Sequence, residues 1–146
     1  MLDRVTDPRN LGAVARSADG AGATGVIVPA HGSAVVTPAV ARASAGAVEH
    51  VPIAVVTNLA RYLEEVKGAD LWIYGAVGDA SAPSMWETDL SGGIALVLGA
   101  EGTGLRPLVR RTCDALVSIP LGGEVESLNV SVAAAVLLYE AKRQRG

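Results

Sequence analysis

Residues 121–141 read LGGEVESLNVSVAAAVLLYEA. Two glycines and two acids lead into Ser127-Leu128-Asn129-Val130-Ser131, after which the chain is almost wholly apolar until Glu140. Such a run predicts a buried helix over 127–143. A helix apolar around most of its circumference needs burial on two sides. A buried helix also needs little polar chemistry at its mouth beyond one capping side chain. Ser127 fills that place in sequence. Asn129, a poor helix former inside the first turn, is left with no capping task. Polar groups in excess of a cap, beside Gly122-Gly123, point to a site.

Working outward, five short β-branched runs read as buried strands: 25–28, 51–56, 71–77, 94–98 and 115–119. Helix-like segments lie near 11–21, 36–46, 58–67 and 104–112. Continuous apolar strands alternating with helices predict an α/β domain, a mostly parallel sheet flanked by helices on both faces. The longest irregular stretch is 78–93. Only Leu2 to Val5 precede the turn at Asp7-Pro8, so the reading begins partway through a first strand: either the chain is trimmed or a domain upstream of it has been lost.

At 146 residues one domain is expected. Half the residues are apolar, which excludes disorder. With no Phe and five aromatic residues among Trp and Tyr, a base-stacking platform for single strands is excluded. The net charge of −3 does not mark a nucleic-acid binder. Nine of the twelve basic residues nevertheless lie in three groups: Arg4, Arg9 and Arg16; Arg106, Arg110 and Arg111; Lys142, Arg143 and Arg145. Brought together, they would make an anion-binding face. Cys113 is alone, so no internal disulfide is expected and a cytosolic setting is the default. No signal pattern and no run of about 20 apolar residues is present, so no membrane span is expected. His31 and His50 are isolated in sequence, which argues against a metal site.

Three stretches carry chemistry. In 2–22, LDRVTDPRNLGAVARSADGAG, Asn10 stands where an N-cap belongs and Leu11, Val14, Ala15 and Ala18 follow with helical spacing. Arg16 points away from that stripe, either into solvent or toward an anion or subunit contact. In 95–111, ALVLGAEGTGLRPLVRR, a strand runs into Gly99, Gly102 and Gly104. The order is not that of a dinucleotide fingerprint or a P-loop, and Glu101 would repel phosphate. An adenosine-bearing ligand without phosphates fits, as does a plain glycine turn. The third stretch is the one quoted first. No G-x-S-x-G elbow is present, since Arg42-Ala43 precede Ser44, and Cys113 is expected to pack in the core.

Together and in this order, D-x-x-x-D-P-x-N-L-G-x-x-x-R-S-A at 3–18, L-G-x-E-G-x-G-L at 98–105, and I-P-L with S-L-N-V-S-V-A between 119 and 133 resemble the three motifs of the SpoU/TrmH family of RNA ribose 2′-O-methyltransferases, in the SPOUT superfamily. Within it the chain looks most like the bacterial RlmB type, which methylates a guanosine ribose in 23S rRNA. The resemblance implies S-adenosyl-L-methionine as methyl donor, a deep C-terminal trefoil knot, RNA as substrate, and a homodimer with sites at its interface. It implies that 1–146 is the catalytic domain and that the family's upstream substrate-binding domain is absent. Rules of chain topology alone would draw an ordinary doubly wound sheet.

By motif position, Gly99, Ile119 and Leu128 would lie against the cofactor, with Leu98, Gly102, Pro120, Leu121 and Ser127 beside them. Asn10, Arg16, Glu101, Ser127 and Asn129 match the polar positions used for catalysis and site assembly. Gly122-Gly123 would let the chain turn through a crowded knot. The family proposal makes Arg16 the proton acceptor, although a guanidinium suits phosphate placement and alkoxide stabilisation better. Two other readings share the motifs: a tRNA ribose methyltransferase, and a non-catalytic RNA- or ribosome-binding module of the same fold.

Overall fold

The computed structural model describes residues 1–68 and 70–146. The elements in chain order are β1 (Leu2–Asp3), α1 (Pro8–Ala21), β2 (Val26–Pro29), α2 (Pro38–Ala43), a 3-10 turn (Ala47–Glu49), β3 (Ile53–Val56), α3 (Leu59–Val66), β4 (Trp72–Val77), β5 (Ile94–Gly99), α4 (Pro107–Thr112), β6 (Ala115–Ser118) and α5 (Val130–Arg145). Among the described residues every pairing between strands is parallel, as the apolar runs predict. The strands divide into a four-stranded sheet, β1-β5-β4-β6, and a separate pair, β2-β3.

Alternation along the strands splits the core in two. Tyr74, Leu96 and Leu98 face Leu11, Val14, Val130 and Leu137 of α1 and α5. Ile73, Ala95 and Val97 face Leu59, Leu63 and Val109 of α3 and α4. Both faces are therefore covered. Asp3 stands level with Gly99, and Val77 with Ser118, so the carboxyl ends of β1, β5, β4 and β6 share one edge. In parallel sheets that edge is where ligands bind.

Two helix starts differ from the sequence expectation. Asp7, not Asn10, caps α1, its carboxylate accepting from Arg9 N while Pro8 takes the first helical position. Asn10 thus lies within the first turn with its side chain free for other work. Asn129, not Ser127, caps α5, its side-chain oxygen accepting from Ser131 N and Val132 N. Gly122 and Gly123 also differ from expectation: neither has positive φ, and a Cβ on either would meet nothing within 4 Å.

The three basic groups do not merge into one anion-binding face. Arg9 pairs with Asp7, Arg106 with Asp3, Arg110 with Asp79 and Arg143 with Glu140. Lys142 donates to Gly20 O, and Arg145 to the carbonyls of Ser91 and Gly92. Arg4, Arg16 and Arg111 are left exposed.

The end of α5 instead fastens the 78–93 loop. Gln144 accepts from Leu90 N at 2.7 Å and donates to Thr88 O and to Glu140. Hydrogen bonds from Arg143 and Gln144 hold the Glu140 carboxyl down at about 2, against an ordinary 4.5. The unfolded chain therefore binds this proton more tightly, and stability falls as pH drops from about 4.5 toward 2. In that window the urea midpoint of the wild type is expected to fall more steeply than that of Glu140→Gln; parallel curves would show that Glu140 contributes nothing.

Candidate active site

At the end of β5, Gly99 runs so close to the returning loop that a Cβ on it would lie 2.1 Å from Gly104 C and 2.3 Å from Leu105 N. The turn between them is clasped by Gly104 N donating to Ala100 O at 2.8 Å, with positive φ at Gly102 and Gly104. Glycine adopts those angles without strain. Glu101 sits at the tip of this turn. The loop's exit is anchored by Asp3, buried at the end of β1, which accepts from Arg106 N at 2.8 Å and Arg106 Nε at 2.7 Å.

Beyond β6, Ser118 N donates to Pro83 O, Ser118 Oγ to Ala82 O, and Met85 N to Ser118 O. The chain then runs from Ile119 to Leu128 before entering α5 at Asn129. There Asn129 Nδ2 donates to Asn10 Oδ1 at 3.1 Å and to Glu101 Oε1 at 2.5 Å. Val130 N also points at Glu101 Oε1, at 3.4 Å. Its position at the helix mouth suits an anionic carboxylate.

The structure thus brings Asn10, Glu101 and Asn129 together. Ser127 is exposed on the wall of the adjoining cleft, and Arg16 is exposed on α1. Six residues of helix put Arg16 about 240° around and about 9 Å along from Asn10, so it does not join the cluster within one chain.

The cleft beside the cluster holds about 470 Å³, within the usual size of a small-molecule site. Leu98, Gly99, Gly102, Ile119, Leu121, Ser127 and Leu128 line it. Pro120 does not; it lines a neighbouring pocket with Ser84, Glu87 and Ser118. Ala76, Val77, Gly78, Asp79, Arg110 and Glu126 line the cleft without having been foreseen. The signal that could have found them is the end of β4, which a parallel sheet sets beside the ends of β5 and β6.

Asp79 and Arg110 form an ion pair at 3.5 Å on this lining. Hydrogen bonds from Ser81 keep the Asp79 carboxyl below its ordinary range, so it is charged at neutral pH. Asp79, Glu101 and Glu126 face the space against one cation, Arg110. That balance disfavours phosphate and suits a cationic ligand, while the Leu and Ile side chains suit a flat base. Cys113 packs against the second core, where burial pushes its thiol up to about 11, and it is no nucleophile. His31 and His50 are exposed.

The family model of the SpoU rRNA Methylase family matches residues 1–139. The chain belongs to this family. Proteins named 23S rRNA (guanosine-2′-O-)-methyltransferase RlmB from Xanthomonas campestris and Pseudomonas putida are each 52% identical to it over 145 residues. Those alignments cover 99% of the chain and 58% of each relative. The SpoU methyltransferase AviRb from Streptomyces viridochromogenes, solved in complex with the cofactor AdoMet, matches with a TM-score of 0.89 at 35% identity, over 99% of this chain and 58% of that one. A TrmH/SpoU tRNA modifying enzyme from A. aeolicus matches with the same TM-score at 31% identity, over 99% and 73% of the two chains. The chain thus spans little more than half the length of the RlmB relatives. Among its described residues no helix is long and apolar enough to cross a membrane.

Proposed function

We propose that residues 1–146 are a catalytic unit that transfers a methyl group from S-adenosyl-L-methionine to a ribose 2′-hydroxyl of RNA, a guanosine of 23S rRNA in the cytoplasm. The observation that carries this is the convergence of Asn10, Glu101 and Asn129 at the mouth of a cleft built from the second and third motifs. The choice of ribosomal over transfer RNA rests on the 52% identity to the RlmB proteins, against 31% to the tRNA modifying enzyme.

The lining fits the donor. Apolar walls suit its adenine, carboxylates suit its positive charge and ribose hydroxyls, and the bare face of Gly99 admits close approach. When bound, the donor supplies an electrophilic methyl on a sulfonium centre. This chain's residues then have three tasks. Gly99, Ile119 and Leu128 align the donor, and alignment alone supplies much of a rate. Asn129 holds Glu101 and Asn10 in one frame, leaving the Glu101 carboxylate to orient the acceptor hydroxyl or share its proton. Arg16 places a phosphate and stabilises the developing alkoxide across a homodimer interface, since within one chain it stands on another side of α1.

Val132 and Tyr139 support that dimer. They lie seven residues apart on one face of α5 and are 48% and 50% exposed, apolar surface that a second copy would cover. The deep trefoil knot that the resemblance implies belongs to the same proposal; the 119–128 path leaves Ser118 clasped by the 82–85 loop and returns to Glu101 through Asn129.

Calorimetric titration with S-adenosyl-L-methionine, with mass measured by sedimentation in the same buffer, tests the reading. Micromolar binding by a dimer is expected. A folded dimer that takes up no cofactor would overturn it in favour of a non-catalytic RNA-binding member of the fold.

A further inference from the structure

Arg4 follows Asp3, whose Cα is in register with Gly99, so it leaves the sheet at the edge from which the Glu101 loop also rises. Its φ is +60°, an angle that glycine adopts freely and a long side chain adopts only at a cost. No core contact demands this residue, because Arg4 is exposed. Its guanidinium lies instead against Gly32: a Cβ on Gly32 would come 2.7 Å from Arg4 Nε and 3.2 Å from Nη2. Gly32 itself has a φ of +72°. The loop that bears it is tied back to the first motif by Ala34 N donating to Val5 O at 2.9 Å.

The guanidinium is therefore seated. It is also uncompensated, with no ion pair or side-chain hydrogen bond among the described residues. The carboxylates that flank it in the chain are engaged elsewhere, Asp3 with Arg106 and Asp7 with Arg9, and Glu101 of the loop beyond β5 is engaged with Asn129. A strained backbone held by its surroundings is commonly kept for a functional reason.

We propose that Arg4 is a positioning residue that grips a backbone phosphate of the RNA strand whose ribose is presented to Asn10, Glu101 and Asn129. This rests on the reading of RNA as substrate. A guanidinium fork matches a phosphate in two parallel hydrogen bonds, and such a contact fixes register without reading sequence. Arg4 acts on where the strand lies and touches no reacting atom.

The test compares the wild-type chain with Arg4→Gly and Arg4→Lys. The probe is a fluorescein-labelled transcript of a 23S rRNA fragment, titrated at several salt concentrations without cofactor. S-adenosyl-L-methionine affinity and melting midpoint are measured alongside. Arg4→Gly relieves the positive φ, so its melting midpoint is expected to hold or rise and its cofactor affinity to stay unchanged. Its RNA affinity is expected to fall several-fold, with the slope of log K against log salt shallower by about 0.7 for the single-stranded contact. Arg4→Lys should keep most of that slope.

RNA affinity and slope unchanged in Arg4→Gly would overturn the proposal, as would a wild-type chain that binds no RNA. A lowered midpoint with equal losses for RNA and cofactor would show a merely structural role and overturn it too. Failure of the wild type to bind S-adenosyl-L-methionine would sink the methyl-transfer reading, while the salt slope still decides whether Arg4 holds phosphate.

Discussion

Replacing Asn129 by alanine is expected to lower methyl transfer at least about 100-fold while costing the fold only about 1 kcal/mol. The two effects come from opposite ends of one side chain. Its oxygen caps α5, accepting from Ser131 N at 2.9 Å and Val132 N at 3.3 Å. Its nitrogen bridges Asn10 and Glu101, residues that no backbone element ties together. Removing the cap frays one turn of a helix otherwise held by Val130, Ala134 and Leu137 in the core. Removing the bridge leaves the Glu101 carboxylate, on an exposed loop tip, with only the long contact from Val130 N at 3.4 Å to orient it. Asn129→Ser separates the roles, because a serine oxygen still caps, while its single O–H on a shorter side chain cannot bridge Asn10 and Glu101 as the amide does. Its urea midpoint is expected near wild type, with methyl incorporation into RNA still low. Recovery of activity along with stability in Asn129→Ser would mean that only the cap mattered.

That double role shows where sequence reading stops. Asn129 is 119 residues from Asn10 and 28 from Glu101, so neither bond leaves a local pattern. The strands were legible because parallel strands buried on both faces are continuous apolar runs. The helix mouths were not. Asn10 and Ser127 are good caps by residue type, but the cap is whichever residue is last to hold extended angles. Pro8 starts α1 early, behind Asp7. The chain stays non-helical through Leu128 because 119–128 is needed as a wall of the cleft, which delays α5 to Val130. The basic groups misled for a related reason, since clustering in sequence says nothing of the partners that folding supplies. Arg106 met Asp3 across 103 residues. The end of β4, with Asp79, carried no motif and became visible only once the sheet order set it beside β5.

Glycines divide along the same line, and Gly99→Ala is expected to show it by weakening S-adenosyl-L-methionine binding more than about 30-fold. Its new Cβ would lie within 2.1 to 2.3 Å of Gly104 C, Gly104 O and Leu105 N, all backbone atoms that no side-chain rotation can clear. The Ala100–Gly104 turn must then move bodily, and it carries both a wall of the cleft and Glu101. Overpacking of this kind costs about 1–3 kcal/mol, and the turn is free to escape it by swinging into the cleft or away from Asn129. Gly122→Ala and Gly123→Ala are the controls: their Cβ atoms would meet nothing within 4 Å, so affinity within about two-fold of wild type is expected although both lie in the third motif. Calorimetry with all three variants, beside their melting midpoints, decides the matter. If Gly99→Ala bound the cofactor normally, the close approach of β5 to its own loop would be a feature of folding alone. The cofactor wall would then have to be sought along 119–128.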